Sequence, residues 1–335
     1  MKAILVREFG GPEVLEHVEV ERPEPGEGQV LVEVRSAGVN YADAMRRRNR
    51  YLAPQSLPFV PGSEVAGVVA EAGPGVEGVS VGERVAALVG EGGYAEYALV
   101  PASGLIPVPE GLGFDEAAAI PLQGLTAYLV LRDSARLAEG ETVLVHAAAG
   151  GVGYLAVQMA RLLGARRVVA TASSPEKLEV ARSLGADVLI DYTEEGWPES
   201  TEEGWPERVR EATGGRGADV ILEMVGGDFP RKNLGCLAPS GRMVVYGSAS
   251  GERSEVPLLE LMRKQQTVSG FWLARYLSDP RLRGRTGEAL REILSWLSSG
   301  RLRLNIGGRY PLAEAARAHA DLEGRRTTGK LVLNP

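Results

Sequence analysis

A single cysteine, Cys236, and three histidines, His17, His146 and His319, are spread over 335 residues. One thiol cannot close an intrachain disulfide, and so small a Cys/His inventory makes a zinc cage hard to assemble. Lysine is scarce as well: Lys2, Lys177, Lys232, Lys264 and Lys330 are the full set, and arginine supplies the rest of the 37 basic side chains. Against them stand 44 acids, for a formal charge of -7. That balance disfavours a nucleic-acid partner, whose phosphates call for a basic surface. No apolar run approaches the ~20 residues of a membrane span. The first residues, Met1 to Arg7, read as a strand start rather than a signal peptide, so the expectation is a cytoplasmic protein with no membrane partner.

What is present is length, glycine and β-branched residues. The chain is too long for one ordinary core, which predicts two domains. Residues 1–110 read as an irregular β domain. Ala3–Val6, Val30–Val34 and Val65–Ala70 are strand-like, and Gly/Pro clusters such as Pro23–Gly28, Pro61-Gly62 and Gly73–Gly75 separate them. Strands are also expected after Ser80 and Gly92, a helix start at Asp115–Ala119, and a helix over Thr126–Ala135. From residue 141 the pattern alternates. Strands are expected at Thr142–His146, Arg167–Thr171, Val188–Ile190, Ala218–Leu222 and Arg242–Tyr246, and helices at Val152–Leu163, Pro175–Leu184 and Arg208–Thr213. Alternation of this kind predicts a parallel sheet covered by helices on both faces. A late strand at Val268–Trp272, a helix at Gly287–Leu297 and a closing strand at Lys330–Leu333 complete the reading, the last returning to the N-terminal β domain. A short repeat, Thr193–Glu199 and Thr201–Glu207, reads as a surface loop grown by duplication; its acids and tryptophans allow a contact site instead.

Val143–Tyr154 carries the first chemical signal. A buried strand runs into Ala148, Gly150 and Gly153, spaced A-x-G-x-x-G, and then into a helix. A dinucleotide pyrophosphate needs small residues there, because it rests on free N–H groups at a helix start. His146 ends the strand and reads as a packed core residue.

Five stretches, in order, resemble the medium-chain dehydrogenase/reductase superfamily, and most closely its zinc-free quinone oxidoreductases of the zeta-crystallin type. They are Gly38–Asp43 (GVNYAD), Leu57–Gly67 (LPFVPGSEVAG), Gly124–Tyr128 (GLTAY), His146–Gly153 (HAAAGGVG) and Thr327–Leu333 (TTGKLVL). The resemblance implies a GroES-like β-barrel catalytic domain of residues 1–120 and 264–335, a Rossmann NADP-binding domain of residues 121–263, and a site in the cleft between them. The fold class is therefore α/β. Zinc alcohol dehydrogenases that this chain resembles carry Cys at Asn40 and His at Ser63, together with a four-cysteine lobe. None of these is present, so no zinc is expected, and the acceptor must already be electrophilic: a quinone, or an enone.

NAD-type sites place an acid about 20 residues beyond the glycines. Here the strand end reads Thr171-Ala172-Ser173-Ser174, with Lys177 one turn into the next helix, a set suited to the 2′-phosphate of NADP(H). The resemblance implies Lys177, Tyr192 and Arg325 around that phosphate, with Arg326 as the alternative to Arg325. It also implies Thr126, Gly247, Ser248 and Phe271 near the nicotinamide, and Gly151 and Val152 with the glycine turn. Catalytic candidates are Asn40, Tyr41, Asp43 and Tyr51. Asn40 reads either as a hydrogen-bond donor to acceptor or ribose, or as a turn residue with Asp43 capping a helix over Ala44–Arg48. Tyr51 matches a tyrosine that lies near the nicotinamide or donates a proton. Arg46–Arg50 departs from the family's R-x-G run and reads either as a solvated face or as a lure for an anionic substrate. The expected activity is NADPH-dependent reduction of a quinone. The alternatives are an enoyl-thioester or enone reductase and a non-enzymatic crystallin-like or RNA-binding protein. A homodimer through the Val268 strand is expected from relatives.

Overall fold

The computed structural model describes residues 1–193 and 204–335 and divides into two compact units, Met1–Gln123 with Leu304–Pro335, and Gly124–Arg303. Most of the repeated segment lies outside the described residues, including Trp197 and its acids.

The first unit is organised on the strand Gln29–Val39, eleven residues long. It pairs antiparallel with Glu64–Ala72 and with Tyr97–Pro101, and its far end takes Lys330–Asn334, with Leu331 opposite Val39 and Leu333 opposite Ala37. Strand alternation sends Val30, Val32 and Val34 into one core with Val65, Val69, Val85, Leu331 and Leu333. Gly67 is required where these strands cross: a Cβ there would lie 2.0 Å from the Glu33 carbonyl oxygen. The closing strand therefore returns to the N-terminal domain as the sequence predicts. The helix after the long strand is Tyr41–Arg47, three residues earlier in onset than expected, because Asn40 and not Asp43 is its cap residue.

The second unit holds a six-stranded, all-parallel sheet. Its order is Val188–Asp191, Arg167–Ala172, Thr142–Val145, Ala218–Glu223, Leu237–Val245, Thr267–Gly270. Thr142–Val145 is buried along its whole length, as expected of a strand with helices on both faces. The chain winds outward from it in one direction and then restarts on its other side at Ala218–Glu223, which makes a topological switch point at its carboxyl end. This unit extends further than the 121–263 expected. Thr267–Gly270 is the sixth strand of the sheet, and the helix Arg283–Ser298 packs on the helix Leu125–Leu129, so the boundary falls at Arg303 rather than at 264.

A second correction concerns the repeat. Trp205 does not sit on a surface loop. It opens the helix Trp205–Ala212, is 4% exposed, and stacks on Phe229 with ring centroids 5.5 Å apart. Among the described residues no helix is long and apolar enough to cross a membrane.

Candidate functional site

In the second unit the glycine turn follows the carboxyl end of the central strand. Ala147 takes a left-handed backbone (φ 47°), the Gly150 N–H donates to the Ala147 carbonyl at 2.8 Å, and the ten-residue helix Gly153–Leu162 begins directly after. Gly153 is fixed by sterics, since a Cβ would lie 2.2 Å from the Ala147 oxygen. Gly150, Gly151 and Val152 stay partly open, whereas Ala148 is fully buried. Pyrophosphate-binding sites in general use a tight turn against a helix start.

Most of the other residues expected at the cofactor follow carboxyl ends of neighbouring strands in the same parallel sheet, which brings those residues to one edge. Ser173 follows Arg167–Ala172 and accepts from the Lys177 Nζ at 3.3 Å; Ser174 caps the helix Pro175–Ser183. Tyr192 follows Val188–Asp191, its ring edge-on to Phe229. Gly247 and Ser248 follow Leu237–Val245, and Phe271 follows Thr267–Gly270, its N–H bonded to the Val245 carbonyl at 2.8 Å. Thr126 does not follow a strand but lies buried in the helix Leu125–Leu129. Arg325 belongs to the first unit, exposed and left-handed (φ 54°), while Arg326 bonds Asp321 at 2.8 Å. His146 is a core residue as expected. Its Nε2–H donates to Asn233 Oδ1 and its Nδ1 accepts from Thr171, both at 2.8 Å, and burial lowers its pKa, so the ring is neutral.

In the first unit the catalytic candidates fall into a buried polar cluster. Asn40 is saturated: its amide nitrogen donates to Gly38 O and to Glu64 Oε1 (2.8 Å), and its oxygen accepts from Gln123 (3.1 Å) and Lys330 (2.9 Å). The expectation that its side chain bonds an acceptor therefore gives way to a bracing role. Asp43 is 1% exposed; it accepts from the Asn40 N–H (3.0 Å), Ser63 (2.6 Å) and Tyr94 (3.1 Å). Three donors of this kind hold a carboxylate in place, and burial raises its pKa. Asp43 is thus the helix-start partner, not a group open to a substrate. Tyr41 is the first helical residue and is partly exposed. Tyr51 is partly exposed, with the Arg46 guanidinium 4.9 Å above its ring. The glycine missing from the family's run is answered by Asn49, which adopts φ 52°, a backbone that asparagine tolerates better than most residues.

Residues the sequence reading passed over complete the cluster. Lys330 and Glu64, both fully buried, form an ion pair, and Glu64 also accepts the Leu122 N–H at 2.7 Å. Arg47, likewise buried, bonds His319 Nδ1 at 2.8 Å and Glu323 at 2.5 Å, and His319 Nε2 meets the Tyr94 hydroxyl at 3.0 Å. Arginine can only donate, so Nδ1 accepts and Nε2 carries the proton. The signal was available in part: Glu64 and Lys330 are charges in apolar strand sequences, and such charges are rarely buried unless paired.

His319 gives a pH dependence. Burial, and then the charges of Arg47 and Arg48, push its pKa down to about 3 from an ordinary 6.5. Between those values the unfolded chain binds a proton that the folded chain refuses, so stability falls as pH drops from 6.5 toward 3. Asp43, with its pKa raised, acts oppositely: its contribution is present at low pH and lost as pH rises through its folded value. Urea titrations are expected to show a shallower acid limb for His319→Gln than for the parent protein; matching limbs would rule out the neutral buried ring.

The comparisons agree with this architecture. Residues 26–110 match the alcohol dehydrogenase GroES-like domain and residues 151–294 the zinc-binding dehydrogenase domain. The chain belongs to the medium-chain dehydrogenase/reductase superfamily, in its quinone oxidoreductase branch. It is 40% identical to a quinone oxidoreductase of Pseudomonas aeruginosa, covering 100% of this chain and 99% of that one. It is 37% identical to a 2-haloacrylate reductase of a Burkholderia species, over 99% and 98% of the two chains. The structure of Escherichia coli quinone oxidoreductase complexed with NADPH superposes with a TM-score of 0.91 at 35% identity, covering both chains fully. The domain description implies zinc, but the donor set does not fit that ion. Asn40 and Ser63 are poor zinc ligands, and the Lys330 ammonium already lies on Asn40 and Glu64. Among the described residues no group of three or more His, Cys, Asp or Glu side chains could hold a metal.

Proposed function

We propose that this protein is a zinc-independent, NADPH-dependent reductase of quinones. One observation carries the reading. The positions that hold Cys and His in the zinc dehydrogenases are Asn40 and Ser63, and both are tied into a network with a buried lysine cation. Without a Lewis acid to polarise an alcohol, the fitting acceptor is one already electron-poor. The likeness over the whole chain to quinone oxidoreductases supports the same class.

NADPH, when bound, supplies the hydride. The turn Ala148–Gly153 and the helix start after it would cradle its pyrophosphate, and Ser173 and Lys177, with Tyr192 and Arg325, would hold the 2′-phosphate. Gly247 and Ser248 leave room for the nicotinamide ribose, with Phe271 as an apolar wall and Thr126 on the nicotinamide side. Asn40 and Asp43 brace the helix Tyr41–Arg47 and Ser63 rather than meet the acceptor. Tyr41, Tyr51 and Arg46 are partly exposed polar groups of this cluster. A quinone takes the hydride and one proton to become a hydroquinone, and solvent can supply the proton.

The likeness to a 2-haloacrylate reductase favours a second reading, reduction of an activated alkene, in which Tyr51 would donate the proton. Tyr51→Phe separates the two. Steady-state turnover of benzoquinone with NADPH should persist within about threefold, whereas a 10²-fold or greater fall in reduction of an enone or enoyl thioester marks Tyr51 as its general acid. A panel of quinones, enones and enoyl thioesters with each nicotinamide tests the whole proposal, and activity favouring NADH throughout would overturn it.

The same reading includes a cytoplasmic homodimer without a nucleic-acid partner. Among the described residues Thr267–Gly270 is an edge strand, and nearby in sequence Leu258, Leu259 and Met262 are each more than 70% exposed. An open edge beside apolar side chains favours pairing with a second copy. Light scattering should return twice the 35.6 kDa chain mass; a monomer mass excludes the dimer.

A further inference from the structure

We propose that Arg46 is a specificity residue that binds a carboxylate on the acceptor; this rests on the reductase reading above. The sequence left the arginine cluster open, and the structure separates its members. Arg47 is buried and committed to Gly10 O, His319 and Glu323. Arg48 pairs with Glu323 at 2.7 Å. Arg46 is different. Its Nη1 donates to Gly90 O at 2.5 Å and reaches Ser63 Oγ at 3.4 Å, and its Cζ lies 4.9 Å from the Tyr51 ring centroid. Among the described residues its Nε and Nη2 have no hydrogen-bond partner and no carboxylate lies within ion-pair distance of it.

A guanidinium presents two edges that match a carboxylate, Nη1/Nη2 and Nε/Nη2. Gly90 and Ser63 occupy the first. The second remains, and the Tyr51 ring fixes its plane. A fork already held in position loses little freedom on binding. The nearby acids do not compete for it. Asp43 is filled by Ser63, Tyr94 and the Asn40 N–H, and Glu91 takes the Gln55 amide at 3.0 Å. Arg46 touches both Ser63 and Tyr51, so a carboxylate on its open edge would lie beside the partly exposed tyrosine. Hydride and proton go to the acceptor as before; the carboxylate only anchors it.

The test compares benzoquinone with benzoquinone carboxylate, each with NADPH. In Arg46→Gln the ratio of kcat/KM, carboxylated over neutral, should fall about 10- to 100-fold, mostly through KM, as expected for loss of a charge-assisted pair. Arg46→Lys should recover part of it, because the charge returns without the fork. A ratio unchanged from the parent protein, or an equal loss with both acceptors, overturns the proposal and leaves Arg46 a brace. Benzoate binding by calorimetry gives a readout free of turnover. The parent protein should bind it and Arg46→Gln should bind it at least tenfold more weakly; equal binding also overturns the proposal. If no quinone is reduced at all, the reductase reading fails while the benzoate result still decides Arg46.

Discussion

Lys330→Met is expected to cost about 3–5 kcal/mol of stability, because it leaves the fully buried Glu64 carboxylate without its cation. In a unit of this size that corresponds to a calorimetric midpoint roughly 6–20 °C lower. The damage should not be confined to one strand. Glu64 and Lys330 tie the adjacent Val39 carbonyl and Asn40 side chain to the Leu122 N–H, so the cluster draws on four separated parts of the chain. Adding Glu64→Gln to Lys330→Met removes the orphaned charge while keeping an acceptor for the Leu122 N–H, so the double variant should be more stable than Lys330→Met alone. If the single variant unfolds with the parent protein, or the double is worse than the single, the buried pair is not what holds this cluster.

Lys177→Ala should raise KM for NADPH about 10- to 100-fold and leave NADH nearly unchanged. The Lys177 ammonium is already oriented, with its Nζ on the Ser173 hydroxyl at 3.3 Å. A charge-assisted contact with a phosphate is worth about 1.5–3 kcal/mol, which sets the size of the effect. Ser173→Asp should go further by repelling the 2′-phosphate and offering a carboxylate to ribose hydroxyls, which shifts preference toward NADH. Initial-rate measurements with both nicotinamides decide it. An equal change in the two KM values would assign Lys177 to the helix surface and remove the phosphate reading.

The contrast between these two residues shows what a linear reading reaches. The placement of Lys177 beside Ser173 is legible because its neighbours in space are its neighbours in sequence: strand end, cap serine and first helical turn lie within a few residues. The same holds for Ala148 to Gly153, where Gly153 answers to a carbonyl only six residues away. Lys330 was visible only as part of a family motif. Its partners, Glu64 and Asn40, are 266 and 290 residues distant, and nothing local says that they meet. Asn40 shows the cost of that blindness. Spacing leaves it equally a substrate donor and a turn residue beside a capping Asp43, and its four side-chain hydrogen bonds instead brace it against Gly38, Glu64, Gln123 and Lys330. The domain boundary failed for a related reason, since Thr267–Gly270 is a short segment whose membership in the parallel sheet depends on pairing with Leu237–Val245.

The sequence by itself determined the alternating strand–helix half, the glycine turn, the hydroxyl and lysine set beyond the second strand of the parallel half, and the lack of zinc ligands. All of these are set by local periodicity, local sterics or residue type. Tertiary structure alone decided which charges are buried and with whom. It placed Lys330 on Glu64 and Asn40, Arg47 on His319, and Trp205 in the core rather than on a loop. A buried ion is tolerable only when its partner arrives from elsewhere in the fold, and that meeting is a property of the packed chain rather than of any one stretch.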